Sequence, residues 1–123
     1  MNANPIRRPP PPFVPVAVVA VRHLSRRMVR VTLGGPDAAS LAPELPAASV
    51  RLLLPSGDGD VVVPDWDGNV FLLPGGSRAP IRTLTPLRVG RSEIDLEIVV
   101  HPGGRLSQWA VAARPGAQAA ISG

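Results

Sequence analysis

The sequence has no cysteine, no lysine and no tyrosine, and its 123 positions hold just four aromatic residues, Phe13, Trp66, Phe71 and Trp109. Without cysteine there are no disulfides, thiolate-bound metals, iron–sulfur clusters or cysteine nucleophiles. Four scattered aromatics do not supply the stacking platforms that single-stranded nucleic acids require. Histidine is limited to His23 and His101, far apart in the chain. A catalytic zinc site needs more nitrogen ligands or a clustered carboxylate set, so no metal is expected. No run approaches the roughly 18 apolar residues of a membrane span. Prolines follow Arg7-Arg8 where a signal peptide would carry its apolar segment. These absences point to a soluble, cytoplasmic protein with neither a membrane nor a nucleic acid as partner.

What is present is an apolar fraction of 45%, drawn mainly from Val, Leu, Ala and Ile. The length suits one domain with one moderate core. Net charge is +4, and all thirteen basic residues are arginine. Apart from Arg7-Arg8 and Arg26-Arg27 they are scattered, as on a solvated surface.

Residues 1–12, with Pro9 to Pro12 in succession, read as an extended, flexible leader, and residues 13–123 as a single domain. Strand signals then recur at short intervals. Val14–Val21 is rich in β-branched residues, and Met28–Leu33 alternates before the turn Gly34-Gly35-Pro36-Asp37. Pro43 and Pro46 mark 38–48 as loop, and Ser49–Leu54 is a third strand ended by Pro55–Gly59. Val61–Val63 and Val70–Leu73 read as short strands around Asp65–Asn69, and Ile81–Val89 as one strand closing a hairpin at Val89–Ser92. In Glu93–Val100, Ile94, Leu96, Ile98 and Val100 share one face and Glu93, Asp95 and Glu97 the other, the pattern of a half-buried strand. Leu106–Arg114 is the one helical stretch, stopped by Pro115-Gly116, and Ala117–Ile121 is a last strand. Short strands at this spacing, without βαβ alternation, predict an all-β domain closed or nearly closed into a barrel.

Two constellations could carry chemistry. Arg82-Thr83-Leu84-Thr85 lies on a strand, and His101-Pro102-Gly103-Gly104 feeds the helix that holds Ser107 and Trp109. Gly103 and Gly104 let the backbone approach a ligand closely. The helix start offers unpaired N–H groups and a positive dipole end, and Ser107 adds a hydroxyl. Arg82 on a neighbouring strand would add a bidentate donor, completing a diphosphate site. The same residues also read as an ordinary strand-to-helix connection capped by Ser107. His101 suits a structural role as well as a ligand contact, and Trp109 suits the core.

The run Arg82-Thr83-Leu84-Thr85-Pro86 resembles the Arg-x-Tyr-Thr motif of ferredoxin-reductase-type flavin barrels. More closely, the chain resembles the siderophore-interacting protein family. Met28–Asp37, Val50–Pro55, Arg82–Arg88 and Ile94–His101 match in order, followed by Gly104, Ser107, Trp109-Ala110, Pro115-Gly116 and Ile121–Gly123. The resemblance implies a six-stranded antiparallel Greek-key barrel with one short helix, holding FAD. It implies that Arg82 meets the diphosphate, that Thr85 bonds the flavin ring, and that His101, Gly103, Gly104 and Ser107 form the phosphate turn. Thr83 and Leu84 belong to the same cofactor strand.

This chain departs from that pattern in three places. The family's ring-stacking Tyr is Leu84, a loss of about 1 kcal/mol beyond area burial. A basic residue usual after the motif is Leu87, leaving Arg88. Arg105 and Leu106 replace a smaller pair. Family members also continue into an α/β domain that binds NAD(P)H, and this sequence stops at its border. The implied function is a flavin redox domain whose electrons come from a separate NAD(P)H-binding subunit. A second copy of the chain is the other partner considered. The alternative is a repurposed barrel whose pocket, lined by Leu84 and Leu87, binds a hydrophobic small molecule and acts as a cofactor-free cyclase.

Overall fold

A computed structural model describes residues 13–35, 49–55, 61–90 and 92–122. The expected leader 1–12, the 38–48 loop and most of the Pro55–Gly59 turn lie outside these residues.

Alternating β-branched residues make the first two strands. Strand β1 (Val14–Ser25) turns at Arg26-Arg27 into β2 (Met28–Gly34). Register shifts at Val18/Ala20 and His23/Ser25 let β1 bend as it wraps the core. Then come β3 (Val50–Leu53), the small pair β4 (Asp65–Trp66) and β5 (Phe71–Leu72), β6 (Ile81–Leu84) and β7 (Arg88–Val89). Strand β8 (Glu93–Val99), helix α1 (Arg105–Ala112) and β9 (Gln118–Ser122) complete the order.

Seven strands join in one sheet in the order β6-β3-β9-β1-β2-β8-β7, every ladder antiparallel. The sheet curls into a half-barrel. Its two edges, β6 and β7, are consecutive parts of the stretch expected to be one strand. Pro86, which has no N–H to donate, divides them. Counted as one broken strand they give the six strands expected.

The inward faces form a core of Val16, Val18, Val29, Val31, Leu33, Leu52, Ile94, Leu96, Ile98 and Ile121, sealed by Ala110 and Ala113 of α1. The alternation in β8 holds as expected: Ile94, Leu96 and Ile98 are buried, while Glu97 pairs with Arg30 and Asp95 with Thr32 on the outside.

A smaller cluster covers the outer face of β3 and β9. Phe13, Leu53 and Ala120 are buried there under Phe71, Ala79 and Ile81. Phe71 meets Phe13 edge-on at 5.1 Å and Trp66 at 5.0 Å, with the Arg51 guanidinium 5.6 Å above its ring. The run Val61–Val63, expected as a strand, is not one. The ladder forms instead through Asp65–Trp66, because Asp67 accepts from the backbone N–H groups of Val70 and Asn69, each at 2.7 Å, and fixes the turn. Those bonds hold the Asp67 carboxyl below its ordinary pKa. Among the described residues no helix is long and apolar enough to cross a membrane.

Candidate functional site

The stretch expected to form a diphosphate turn is an open bend between β8 and α1. After Val99 the chain turns through Pro102 and Gly103 into α1, whose first residue is Arg105. Gly103 has φ +80°, a left-handed conformation that side chains disfavour, and a Cβ built there would meet nothing within 4 Å. The glycine therefore serves the backbone path and leaves the bend unobstructed.

Ser107 does not cap the helix. The N-cap is Gly104, which carries no side-chain cap, and the first turn contains no acidic residue. The Ser107 hydroxyl, buried at 5% exposure, accepts the backbone N–H of His101 at 2.7 Å. It ties the bend shut from beneath. A hydroxyl keeps one proton to donate and one lone pair beyond such a bond. Intrahelical bonding begins with Gln108, whose N–H reaches the Gly104 carbonyl at 2.9 Å. The N–H groups of Arg105, Leu106 and Ser107 precede it and have no intrahelical acceptor. Arg105 sets a cation at the positive end of the helix, unfavourable by about 0.3–1 kcal/mol. An anion at the bend would offset that cost.

A groove of about 360 Å³ runs along this bend, lined by His101, Pro102, Gly103, Ser107, Gln108 and Val111 among others. Beside it opens a hollow of about 500 Å³ between His101-Pro102, Val99-Val100 and Arg26-Arg27 of the β1–β2 turn. Arg26 and Arg27 form one of the two arginine pairs that stand out from the otherwise scattered basic residues. The register Met28↔Val99 and the bond from Val100 N–H to the Arg27 carbonyl at 2.8 Å bring them to the bend. One signal for this was available in the sequence: Arg22 to Arg30 contains three further basic residues, His23, Arg26 and Arg27, and no carboxylate.

The other constellation sits on β6. Its register, Leu52↔Arg82 and Val50↔Leu84, puts Arg82 and Leu84 on one face, and Arg51↔Thr83 puts Thr83 on the other. Leu84 is half-buried and packs against the main core, whereas Arg82 and Thr83 are exposed. Thr85 is exposed in the break before Pro86. The Arg82 Nη1 donates to the Ile81 carbonyl at 2.9 Å, and Arg82 makes no hydrogen bond to the bend. β6 runs in the direction of β7, opposite to β8, so its Arg82 end lies toward the end of β8 that carries His101. The β7–β8 ladder stops at Arg88↔Asp95, with Leu87 N–H on the Asp95 carbonyl at 2.9 Å.

Leu84 and Leu87, expected to line a pocket in the alternative reading, differ in burial. Leu84 belongs to the packed core and Leu87 is 55% exposed. Trp109 is half-buried against the core, as its helical position allowed, with its indole N–H buried and unpaired.

The residues present fit one part of FAD well. The uncapped helix start, the open glycine bend and nearby guanidinium groups suit a diphosphate. The ring end is less complete, because Leu84 offers no aromatic face.

A family model described as the siderophore-interacting FAD-binding domain matches residues 17–123. The NADPH-dependent ferric-chelate reductase of Escherichia coli (strain K12) is 30% identical over 112 residues, which is 90% of this chain and 44% of that protein. A siderophore utilization protein from T. fusca superposes with a TM-score of 0.77 at 30% identity, covering 97% of this chain and 47% of that one. The siderophore-interacting protein SipS from Aeromonas hydrophila superposes at 0.71 with 26% identity, covering 94% of this chain and 46% of that one. The chain thus spans a little under half the length of each of these relatives.

Proposed function

The chain belongs to the siderophore-interacting FAD-binding domain family, and from that premise we propose that it holds FAD as a redox domain serving reduction of an iron chelate, with electrons delivered by a separate NAD(P)H-binding partner. The observation that carries this reading is the open, uncapped bend from His101 to Gly104, with free helix N–H groups and no carboxylate in its first turn.

Within this reading the backbone N–H groups after Gly104 bind the diphosphate. Gly103 keeps the approach clear, and Ser107 holds the bend in shape through its bond to His101. Arg82, extended from β6, supplies the side-chain charge. Thr83, Leu84 and Thr85 border the flavin ring, where Thr85 donates or accepts a hydrogen bond and Leu84 gives apolar contact. Bound FAD would supply the electron-transfer chemistry, and the protein contributes binding and orientation. The iron chelate is substrate and needs no resident metal. The Escherichia coli relative is NADPH-dependent by name, and this chain covers 44% of it, which supports an NAD(P)H-binding electron source outside the matched region.

The test is spectroscopic. The purified protein is expected to take up FAD in a titration and show the absorbance of a flavoprotein. Arg82→Ala is expected to weaken that uptake about 10- to 100-fold, as loss of a charge-assisted bond of roughly 1.5–3 kcal/mol requires. A protein that ignores FAD at millimolar concentration would end this reading.

A further inference from the structure

The hollow at Arg26 and Arg27 is left unused by the diphosphate site, although the two adjoin through Val100, His101 and Pro102. We propose that this hollow seats the adenosine 5′-phosphate end of the dinucleotide, making Arg26 and Arg27 the residues that distinguish FAD from FMN. The inference rests on the FAD reading above and adds a subsite to it.

The sheet order carries the argument. β8 lies between β2 and β7. The chain runs from β6 into β7, which puts Arg82 and Leu84 on the β7 flank of β8, and the β1–β2 turn reaches the C-terminal end of β8 from the β2 flank. A diphosphate at the bend therefore has the ring-side residues on one flank and Arg26-Arg27 on the other. A ligand that straddles the bend with its flavin toward β6 must send its other end toward the hollow.

The chemistry of the hollow suits that end. Val99, Val100 and Pro102 give an apolar floor for a purine face. Arginine stacks on flat π systems and binds phosphate through paired N–H donors. Arg26 and Arg27 are exposed and make no ion pair among the described residues, so both guanidinium groups are free to turn inward. No carboxylate lines the hollow. At about 500 Å³ it lies within the roughly 300–1,000 Å³ of small-molecule sites.

The experiment titrates the intact protein and the double variant Arg26→Ala/Arg27→Ala with FAD, FMN and 5′-AMP, by calorimetry and by saturation-transfer NMR on the adenine protons. Urea unfolding of both proteins checks that the fold is kept, as expected for exposed turn residues. Wild type is expected to bind 5′-AMP, and the double variant to lose that binding. The variant is also expected to lose about 10- to 100-fold in FAD affinity while its FMN affinity stays unchanged. FAD affinity indifferent to the double substitution would overturn the subsite and leave the FAD reading standing. Equal losses for FAD and FMN would also overturn it. Binding of 5′-AMP through Arg26 and Arg27 by a protein that takes no flavin would do the reverse. Binding of neither nucleotide by wild type would remove both.

Discussion

The backbone N–H of His101 donates to the side-chain oxygen of Ser107 over 2.7 Å, closing the bend between β8 and α1 on itself. The two residues act together: the buried hydroxyl is the acceptor that this N–H has inside the protein. Ser107→Ala leaves the N–H without it, at a cost of about 1–3 kcal/mol. Urea unfolding is expected to show that loss of stability. FAD titration is expected to show a parallel weakening, about tenfold for each 1.4 kcal/mol that the bend contributes to binding. If stability falls and affinity does not, the hydroxyl braces the fold without shaping the site.

Gly103 offers a cleaner backbone test. Its φ of +80° is unfavourable for any side chain, yet a Cβ there meets nothing within 4 Å. Gly103→Ala should therefore cost about 1–2 kcal/mol through backbone conformation alone, with no clash. The bend would relax away from the geometry that opens the helix start. A lowered melting temperature together with weaker FAD binding is the expected result. An unchanged melting temperature would show that the left-handed conformation is not needed.

Much of this fold was legible because antiparallel strands carry a period of two. Ile94, Leu96 and Ile98 alternate with Glu93, Asp95 and Glu97, and the sheet buries the first set and pairs Asp95 and Glu97 with Thr32, Arg88 and Arg30. The His101–Gly104 bend was legible from its glycines and the helix that follows. Val61–Val63 misled, since an apolar run reads as a strand whether or not a partner strand is available. Here Asp67 sets the ladder two residues further on. The break at Pro86 has a local cause, the missing N–H, which the reading of Ile81–Val89 as one strand passed over, whereas the approach of Arg26-Arg27 to His101 depends on how the sheet curls. Curling follows from long-range register, which local sequence does not encode. Arg82 was recognised by motif, but its guanidinium rests on the Ile81 carbonyl, a detail that no pattern predicts.

Asp95 supplies a pH prediction. Burial alone would raise its pKa, but the Thr32 hydroxyl at 2.7 Å and the Arg88 guanidinium at 3.0 Å outweigh that and hold it below its ordinary 3.8. A carboxylate with a depressed folded-state pKa adds stability that is present above 3.8 and lost as pH falls through the lower, folded value. Stability measured by urea is thus expected to decline below about pH 4, and Asp95→Asn to flatten that part of the decline. A variant with the wild-type acid limb would place the effect on other carboxylates.

Leu84 provides the sharpest opposition between fold and function. It faces Val50 across the β3–β6 ladder and packs half-buried against the core. The family resemblance places an aromatic ring at this position. Leu84→Tyr would add a flat surface for the flavin, worth about 1 kcal/mol, and hence about fivefold in affinity. The larger ring would also have to leave or distort the packing Leu84 now occupies, at about 1–3 kcal/mol for an overfilled site. The two readouts should therefore move in opposite directions: FAD binds more tightly and its fluorescence is quenched, while the urea midpoint of the free protein falls. Tighter binding at unchanged stability would mean that position 84 already faces the ligand rather than the core. Lower stability with no gain in affinity would mean that this barrel holds its flavin ring elsewhere than against β6.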